Sequence, residues 1–268
     1  MSYTSLEIFH HRNLRNLSSI LFADGPQGIG LAAAHYLLKQ SHKLVLVSRT
    51  ASALTQLRDQ YGADKVEVVA GDLADFSISK KAVEVANDRF GRIDGLIVNH
   101  GALEPVKKVA DSTPEEWSKA FDTNVFSAIA LIQAALPSLR KTQGRIILTS
   151  SGAAVGAYQG WGAYGAGKAV LNHLALTLAV EELDVTTISI RPGVVDTEMQ
   201  REIRELHNKA MTEKDAAKFA GLKKDGGLLK PEQPGHVLAK LAVAGGKDLS
   251  GKFLSWNDDA LAKFQESA

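Results

Sequence analysis

A serine, a tyrosine and a lysine in the middle of the chain have the types and spacing of a proton-transfer site. Tyr164 and Lys168 are four residues apart, which places both side chains on one face if the segment is helical. A lysine charge beside a phenol lowers the phenol pKa from its ordinary value of ~10, so that the phenol exchanges protons near neutrality. Ser151 lies thirteen residues before Tyr164, and its hydroxyl can hold a substrate oxygen beside the phenol.

The same spacing occurs a second time, and only the context separates the two sets. Ser48, Tyr61 and Lys65 have the same separations along the chain. Tyr61 ends a predicted helix, so Lys65 enters the next strand and the two side chains diverge. Tyr164 instead begins a long helical pattern, and Ser151 follows a strand. We therefore predict that only the set containing Tyr164 converges.

A glycine-rich turn follows the first apolar run and opens the first helical pattern. Its sequence is Asp24-Gly25-Pro26-Gln27-Gly28-Ile29-Gly30. Glycines let the backbone approach a pyrophosphate closely, and a helix N-terminus favours negative charge. The turn therefore predicts a dinucleotide site.

Arg49 ends the second apolar run, where such a site contacts the adenosine ribose. A carboxylate at this point accepts a hydrogen bond from the ribose hydroxyl of NAD, whereas an arginine pairs with the 2′-phosphate of NADP. The chain has the arginine and no acid there. We therefore predict NADP(H) as the cofactor.

Apolar runs alternate with helical patterns and must position these residues. Strands are predicted at 20–23, 44–47, 66–70, 96–98, 145–148, 187–190 and around 253, and helices at 28–39, 51–60, 77–90, 114–139, 162–182 and 234–244. Continuous apolar runs are typical of strands buried on both faces. The pattern predicts an α/β fold: a Rossmann-type doubly wound sheet of about seven parallel strands with helices on both faces.

The chain reads as one domain with a tail before it. We expect residues 1–17 to form an N-terminal tail, residues 18–268 to form a single catalytic domain, and residues 198–230 to form a substrate loop. The helices near 124–139 and 169–182 carry more apolar residues than one buried stripe requires, which predicts a homodimer or homotetramer.

Composition excludes several classes of protein. The 268 residues carry 31 Lys and Arg against 30 Asp and Glu, a net charge of +1 that gives no reason to expect a nucleic-acid partner. The absence of cysteine rules out disulfides, thiolate metal sites and cysteine nucleophiles. No stretch approaches the ~20 apolar residues of a membrane span. We expect a cytoplasmic protein, with a mitochondrial address in the first 17 residues left open.

An ordered set of short motifs runs from about Ile20 to Phe253. The motifs are Gly28-Ile29-Gly30, Gly71-Asp72-Leu73, Asn99-His100-Gly101, Asn124, Ser151, Tyr164-x-x-x-Lys168 and Arg191-Pro192-Gly193. With them, the chain resembles the short-chain dehydrogenase/reductase family in its single-domain form. Within that family, residues 103–106, 160–165 and 195–199 look like the fungal benzil reductase group, close to the sepiapterin reductases.

The resemblance implies a role for each catalytic position. Tyr164 would be the general acid in reduction of a small-molecule carbonyl substrate, and Ser151 would orient the substrate oxygen. Lys168 would lower the Tyr164 pKa and hold the nicotinamide ribose. Asn124 would hold a water in the proton relay.

The resemblance also implies the cofactor contacts. Asp72 and Leu73 would face the adenine, and Asn99 and Gly101 would line the cleft. The nicotinamide end would be contacted by Pro192, Val195 and Thr197.

Departures from the family pattern keep a second function open. Asp24 replaces the first glycine of the family turn and adds a negative charge near phosphates, although Gly25 can shift the turn by one residue. His100 replaces a small residue, and Val98 replaces a frequent asparagine. The alternative is a non-catalytic relative that senses nucleotides or binds a partner.

Overall fold

Seven parallel strands form one sheet in the computed structural model, which describes residues 17–23 and 27–266. The strands are β1 Ser19–Ala23, β2 Lys43–Ser48, β3 Val66–Ala70, β4 Gly95–Val98, β5 Arg145–Thr149, β6 Thr186–Arg191 and β7 Phe253–Ser255. Their order across the sheet is β3-β2-β1-β4-β5-β6-β7. This confirms the predicted Rossmann-type doubly wound sheet.

The chain reverses its direction of winding between β1 and β4, and this switch point fixes where a ligand binds. β1 pairs with β2 on one side and with β4 on the other, so that Ala23 lies opposite both Val47 and Val98. The carboxyl ends of the three strands therefore share one edge. A crevice opens at this edge because the connections leave in opposite directions.

Helices cover both faces of the sheet. They are α1 Gly28–Lys39, α2 Ala51–Tyr61, α3 Ser77–Phe90, α4 Pro114–Phe121, α5 Ser127–Thr142, α6 Gly162–Glu181, α7 Glu198–Glu205, α8 Glu213–Lys224 and α9 Glu232–Ala244. Alternate residues of each strand enter opposite cores: Ile20 and Phe22 pack with α1 and α9, whereas Leu21 packs with α3, α5 and α6. Burial on both faces explains the continuous apolar runs of the sequence.

The helix predicted at 114–139 is two helices joined by a π-helical turn. Thr113 caps α4 in a reciprocal capping box with Glu116, as the sequence pattern predicts. The turn, Asp122–Phe126, carries Asn124 and passes directly into α5. The extra residue in a π-helical turn changes the face on which the following side chains point.

Because α4, the turn and α5 join end to end, they form a longer apolar run than composition predicts. This run, Pro114–Thr142, is long and apolar enough to cross a membrane by length and composition. Its side chains Ala128, Leu131 and Ile132 are buried against the sheet, as those of a core helix are.

The segment predicted as a substrate loop, residues 198–230, is largely helical. It contains α7 and α8, and Thr212 starts α8 by accepting a hydrogen bond from the Asp215 backbone amide at 3.1 Å. The segment forms helices instead of a loop, and each helix buries an apolar side chain: Ile203 on α7 and Phe219 on α8. The predicted tail at 1–17 lies outside the described residues except for Leu17.

Candidate functional site

A cleft of about 680 Å³ opens at the carboxyl ends of the strands. It collects most of the residues that the sequence predicted: Gly28, Ile29, Arg49, Asp72, Leu73, Asn99, Gly101, Ser151, Tyr164, Lys168, Pro192, Val195 and Thr197. Gly30 is instead buried within α1, and Asn124 lies behind the cleft wall. Gly25 and Asp24 lie outside the described residues.

Tyr164 is buried in the first turn of α6 and faces Ser151. Burial raises the pKa of the phenol above its usual range, and a hydrogen bond with the Ser151 side chain opposes the rise. Removal of the phenol from water is the largest effect on its pKa in this structure, and the lowering by Lys168 stays a prediction. The phenol is held in its protonated form, which is the form that donates a proton.

Lys168 lies one turn after Tyr164 and is almost fully buried, with 3% of its surface exposed. Its Nζ donates a hydrogen bond to the Thr149 carbonyl oxygen at 2.8 Å and lies 5.8 Å from the centroid of the Tyr164 ring. The end of β5 thus anchors the ammonium group beside the phenol. A Cβ on Gly101 would lie 3.2 Å from this Nζ, so a glycine leaves room for the lysine.

Asn124 joins two parts of the cleft wall. Its Oδ1 accepts from the Ala102 amide and its Nδ2 donates to the Ala102 carbonyl oxygen, both at 2.9 Å. The side chain is 2% exposed and ties the π-helical turn to the loop after β4. The resemblance assigned Asn124 a water, but these side-chain groups are engaged with the Ala102 backbone.

The second Ser–Tyr–Lys set does not come together. The Tyr61 hydroxyl lies 2.8 Å from Nδ1 of His35, across the α1–α2 contact. Ser48 lines the cleft at the end of β2, but neither Tyr61 nor Lys65 does. The structure therefore brings together the set that the sequence context favoured.

The turn into α1 fits a dinucleotide phosphate group. Gly28 has φ +59°, and a Cβ there would lie 2.8 Å from Cγ2 of Thr197. The cap residue Gln27 makes no side-chain capping hydrogen bond, and the first turn of α1 contains no acidic residue. The N-terminal amides of α1 therefore face a narrow space whose helix dipole favours an anion.

His100 fills the cleft wall where the family has a small residue. Its Nε2 lies 2.7 Å from Oγ of Ser127, and Ser127 in turn donates to the Thr123 carbonyl oxygen at 2.6 Å. Burial and the Lys168 charge lower the pKa of the imidazole to about 4. The ring is therefore neutral at physiological pH.

The far half of the cleft has an aromatic wall that the sequence reasoning missed. Trp161 stacks on Phe219 with ring centroids 5.5 Å apart, and Tyr158 lies against both rings. Phe219 belongs to α8, which closes over the cleft. The spacing of Tyr158, Trp161 and Tyr164, three residues apart each time, carried this signal: the aromatic residues lead into α6 beside the phenol.

With this geometry established, comparison with known proteins gives the family. The pattern of short chain dehydrogenases matches residues 19–208. The chain belongs to the short chain dehydrogenase family. Among its relatives is a benzil reductase, (S)-benzoin forming, from Saccharomyces cerevisiae. The two are 40% identical over 258 residues, which are 92% of this chain and 98% of that protein.

Solved structures of similar chains agree with the fold. The crystal structure of YIR035C from Saccharomyces cerevisiae has a TM-score of 0.91 at 39% identity and covers 93% of this chain and 100% of that one. A cytoplasmic protein of unknown function from the same yeast has a TM-score of 0.79 at 38% identity, with the same coverage. Two more distant structures with this fold hold NADH and NADPH. The family match and the benzil reductase relative make the chain an oxidoreductase.

Proposed function

We propose that the chain is an NADPH-dependent carbonyl reductase that acts on an aryl ketone or diketone. One observation carries the proposal: a buried, protonated Tyr164 is hydrogen-bonded to Ser151 and lies one helical turn from Lys168, inside the switch-point cleft. Folding alone requires none of these three groups to meet there, because buried polar side chains cost free energy unless they are paired.

The side chains have separate tasks in this reaction. Ser151 holds the carbonyl oxygen, and Tyr164 donates its proton to that oxygen as negative charge develops. Lys168 stabilises the resulting phenolate through its charge and would bind a ribose hydroxyl of the cofactor. The nicotinamide cofactor, when bound, supplies the hydride. After the transfer, solvent restores the proton of Tyr164.

The cofactor half of the cleft supports a phosphorylated dinucleotide. The N-terminus of α1 and Gly28 would hold the pyrophosphate, and Asp72 and Leu73 would face the adenine. Pro192, Val195 and Thr197 would hold the nicotinamide end. Arg49 is exposed at the end of β2 and would pair with the 2′-phosphate, which favours NADPH over NADH.

The aromatic wall supports an aromatic substrate. Trp161, Phe219 and Tyr158 offer flat apolar faces beside Tyr164, and aromatic rings gain from stacking on such faces. A relative that reduces benzil, a diketone with two phenyl rings, is consistent with this wall. A non-catalytic sensing role is less favoured, because it would not need Ser151, Tyr164 and Lys168 together.

The first experiment is NADPH oxidation with benzil, followed at the NADPH absorbance. We expect the native protein to turn over and Tyr164→Phe to lose at least about a hundredfold in kcat, in line with the loss of a general acid. NADPH fluorescence titration should give the variant an unchanged Kd, because the ring remains.

The chain offers a matched control in Tyr61→Phe, since Tyr61 repeats the spacing but lies outside the cleft. Full activity is expected for this variant. Inactivation by Tyr61→Phe, or full activity of Tyr164→Phe, would contradict the proposed mechanism.

We also propose that the protein is cytoplasmic, as its yeast relative is.

A further inference from the structure

The aromatic wall of the cleft carries a lysine whose charge no carboxylate balances. Lys218, on α8, lines the cleft and is exposed to solvent. Within residues 17–23 and 27–266, no ion pair joins its ammonium group to a carboxylate. Lys223, five residues further along the same helix, is paired with Asp196 at 2.8 Å. The two lysines of α8 therefore differ, and only the charge of Lys218 is available to a molecule in the cleft.

The structure holds this ammonium group against the aromatic wall. Its Nζ donates a hydrogen bond to the Tyr158 hydroxyl at 3.0 Å. The same Nζ lies 5.2 Å from the centroid of the Tyr158 ring and 5.6 Å from that of Phe219. The hydroxyl is a neutral partner and takes one of the three donor hydrogens of an ammonium group. Two donor hydrogens and the positive charge remain for a ligand.

The aromatic wall leads from this ammonium group to the reacting phenol. Tyr158 lies against Trp161 with ring centroids 4.7 Å apart, and Trp161 meets the Tyr164 ring edge to face at 6.0 Å. All three residues line the cleft together with Lys218. A flat aromatic substrate that lies along this wall therefore has its carbonyl at Tyr164 and its far end near Lys218.

The carboxylates that line the described part of the cleft have other partners. Asp72 accepts a hydrogen bond from the Ala74 amide at 3.0 Å and lies where the adenine is proposed to bind. Glu198 accepts from Nε of Arg201 at 3.0 Å and forms an ion pair with it. Neither one offsets the charge of Lys218. An anionic group at the far end of a substrate would thus be attracted to this side of the cleft.

We propose that Lys218 is a specificity-determining residue that binds a carboxylate at the far end of an aromatic carbonyl substrate. This inference rests on the proposed function and narrows its substrate class to an aryl ketone or diketone with an acidic group on the ring. Ser151 and Tyr164 act on the carbonyl oxygen as before. Because the ion pair stays open to solvent, it distinguishes charged from neutral substrates by a modest factor.

The test compares two benzil derivatives of closely similar shape and different charge, benzil-4-carboxylate and benzil-4-carboxamide. For the native protein we expect kcat/KM to be about fivefold higher with the carboxylate, in line with an exposed ion pair, and this ratio to shrink as salt is added. Lys218→Met keeps much of the side-chain length and removes the charge, so it should bring the two values within about twofold. Lys218→Arg, which keeps the charge, should retain the preference.

Lys214→Met is the matched control, because Lys214 is an exposed lysine of the same helix and lies outside the cleft. It should keep the native ratio. Arg191→Met tests another cation that lines the cleft, at the end of β6, and should also keep the ratio. An unchanged NADPH Kd for Lys218→Met verifies that this variant is folded.

Three results would overturn the inference while the proposed function stands. One is a native protein that reduces benzil but does not prefer the carboxylate over the carboxamide. Another is an equal fall of both kcat/KM values in Lys218→Met, which would mean that the lysine only holds α8 in place. The third is loss of the preference in Arg191→Met and not in Lys218→Met. A native protein that reduces neither benzil nor its derivatives would refute the proposed function, and the inference with it.

Discussion

At the scale of single residues, His100 in the cleft wall makes the free energy of unfolding depend on pH in the acid range. Its pKa of about 4 lies below the ordinary histidine value of 6.5, because burial and the Lys168 charge disfavour the imidazolium. Between these two pH values the unfolded chain binds the proton that the folded chain refuses. The free energy of unfolding is therefore unaffected by His100 above pH 6.5 and falls as pH drops from 6.5 towards 4.

Replacing His100 should flatten this part of the stability curve. The full effect of the lowered pKa is on the order of 3 kcal/mol at pH 4 and about 2 kcal/mol at pH 5. His100→Ala should therefore lose about 2 kcal/mol less than the native protein between pH 7 and pH 5, measured by urea unfolding at each pH. His173→Ala, which removes an exposed histidine of α6, should keep the native slope. Parallel curves for His100→Ala and the native protein would rule the mechanism out.

Under the proposed function, Arg49 would determine the preference for NADPH over NADH. A guanidinium–phosphate contact contributes about 1.5–3 kcal/mol, which is roughly ten- to a hundredfold in kcat/KM for NADPH. Arg49→Ala should lose this factor with NADPH and little with NADH. Arg58→Ala, on α2 and outside the cleft, serves as the control for removing a positive charge. Equal efficiency of the native enzyme with both cofactors would refute the assignment.

The sequence identifies functional residues whose role follows from their spacing along the chain. It does not identify residues whose role depends on how deeply the fold buries them. Tyr164 and Lys168 could be identified because a helix fixes where side chains four apart point. The direction of the Tyr164 pKa could not, since it depends on how completely the phenol is enclosed. Gln200 and Trp161 have ordinary residue types at positions that no motif marks, and only the folded chain reveals that their buried polar atoms have no hydrogen-bond partner within residues 17–23 and 27–266.

At the scale of elements, local sequence signals predict the bounds of the strands and of most helices closely. They do not predict the two helices that cover the cleft, α7 and α8. The bounds of α1, β3 and α3 agree with the sequence pattern, because apolar periodicity and glycine turns act within a few residues. The cover formed by α7 and α8 depends instead on distant contacts. Phe219 is buried in a cluster that includes Trp161, Ile203 and Met211, and the Tyr158 ring packs against it.

This dependence predicts how the cover fails. Phe219→Ala removes the ring that α8 buries on Trp161, so α8 should detach more often without unfolding the sheet. We expect the KM for benzil to rise about tenfold, while the NADPH Kd stays within about twofold. Lys214→Ala, an exposed change on the same helix, should alter neither value. An unchanged KM for Phe219→Ala would show that α8 does not cover the substrate.

At the scale of the whole molecule, the sheet topology follows from the continuous apolar pattern of the strands. The association of chains into an oligomer does not follow from that pattern. Continuous apolar strands that alternate with helices are compatible with few sheet topologies. In the topology observed here, the switch point between β1 and β4 brings motifs that are distant in sequence to one edge of the sheet. Assembly depends on which helix faces stay exposed after folding. Leu176 and Val180, on α6, remain 55% and 77% exposed, and Leu183 just after it is 74% exposed.

We propose that this exposed stripe of Leu176, Val180 and Leu183 is covered by a second copy in a homodimer or homotetramer. Contiguous exposed apolar residues are typical of such contacts. Light scattering at micromolar concentration should give a dimer or tetramer for the native chain and a smaller species for Val180→Glu. Leu206→Glu, an exposed apolar position on the cleft cover, should leave the mass unchanged. A native monomer would exclude the assembly.

The helix α6 carries Tyr164 and Lys168 in its first two turns and Leu176 and Val180 of the exposed stripe in its last two. If a second copy clamps the end of this helix, the position of the phenol depends on a contact made outside its own chain. Specific activity per chain should then decline on dilution below the dissociation constant of the assembly and return on concentration. An enzyme of this design loses turnover in dilute extracts while every chain remains folded.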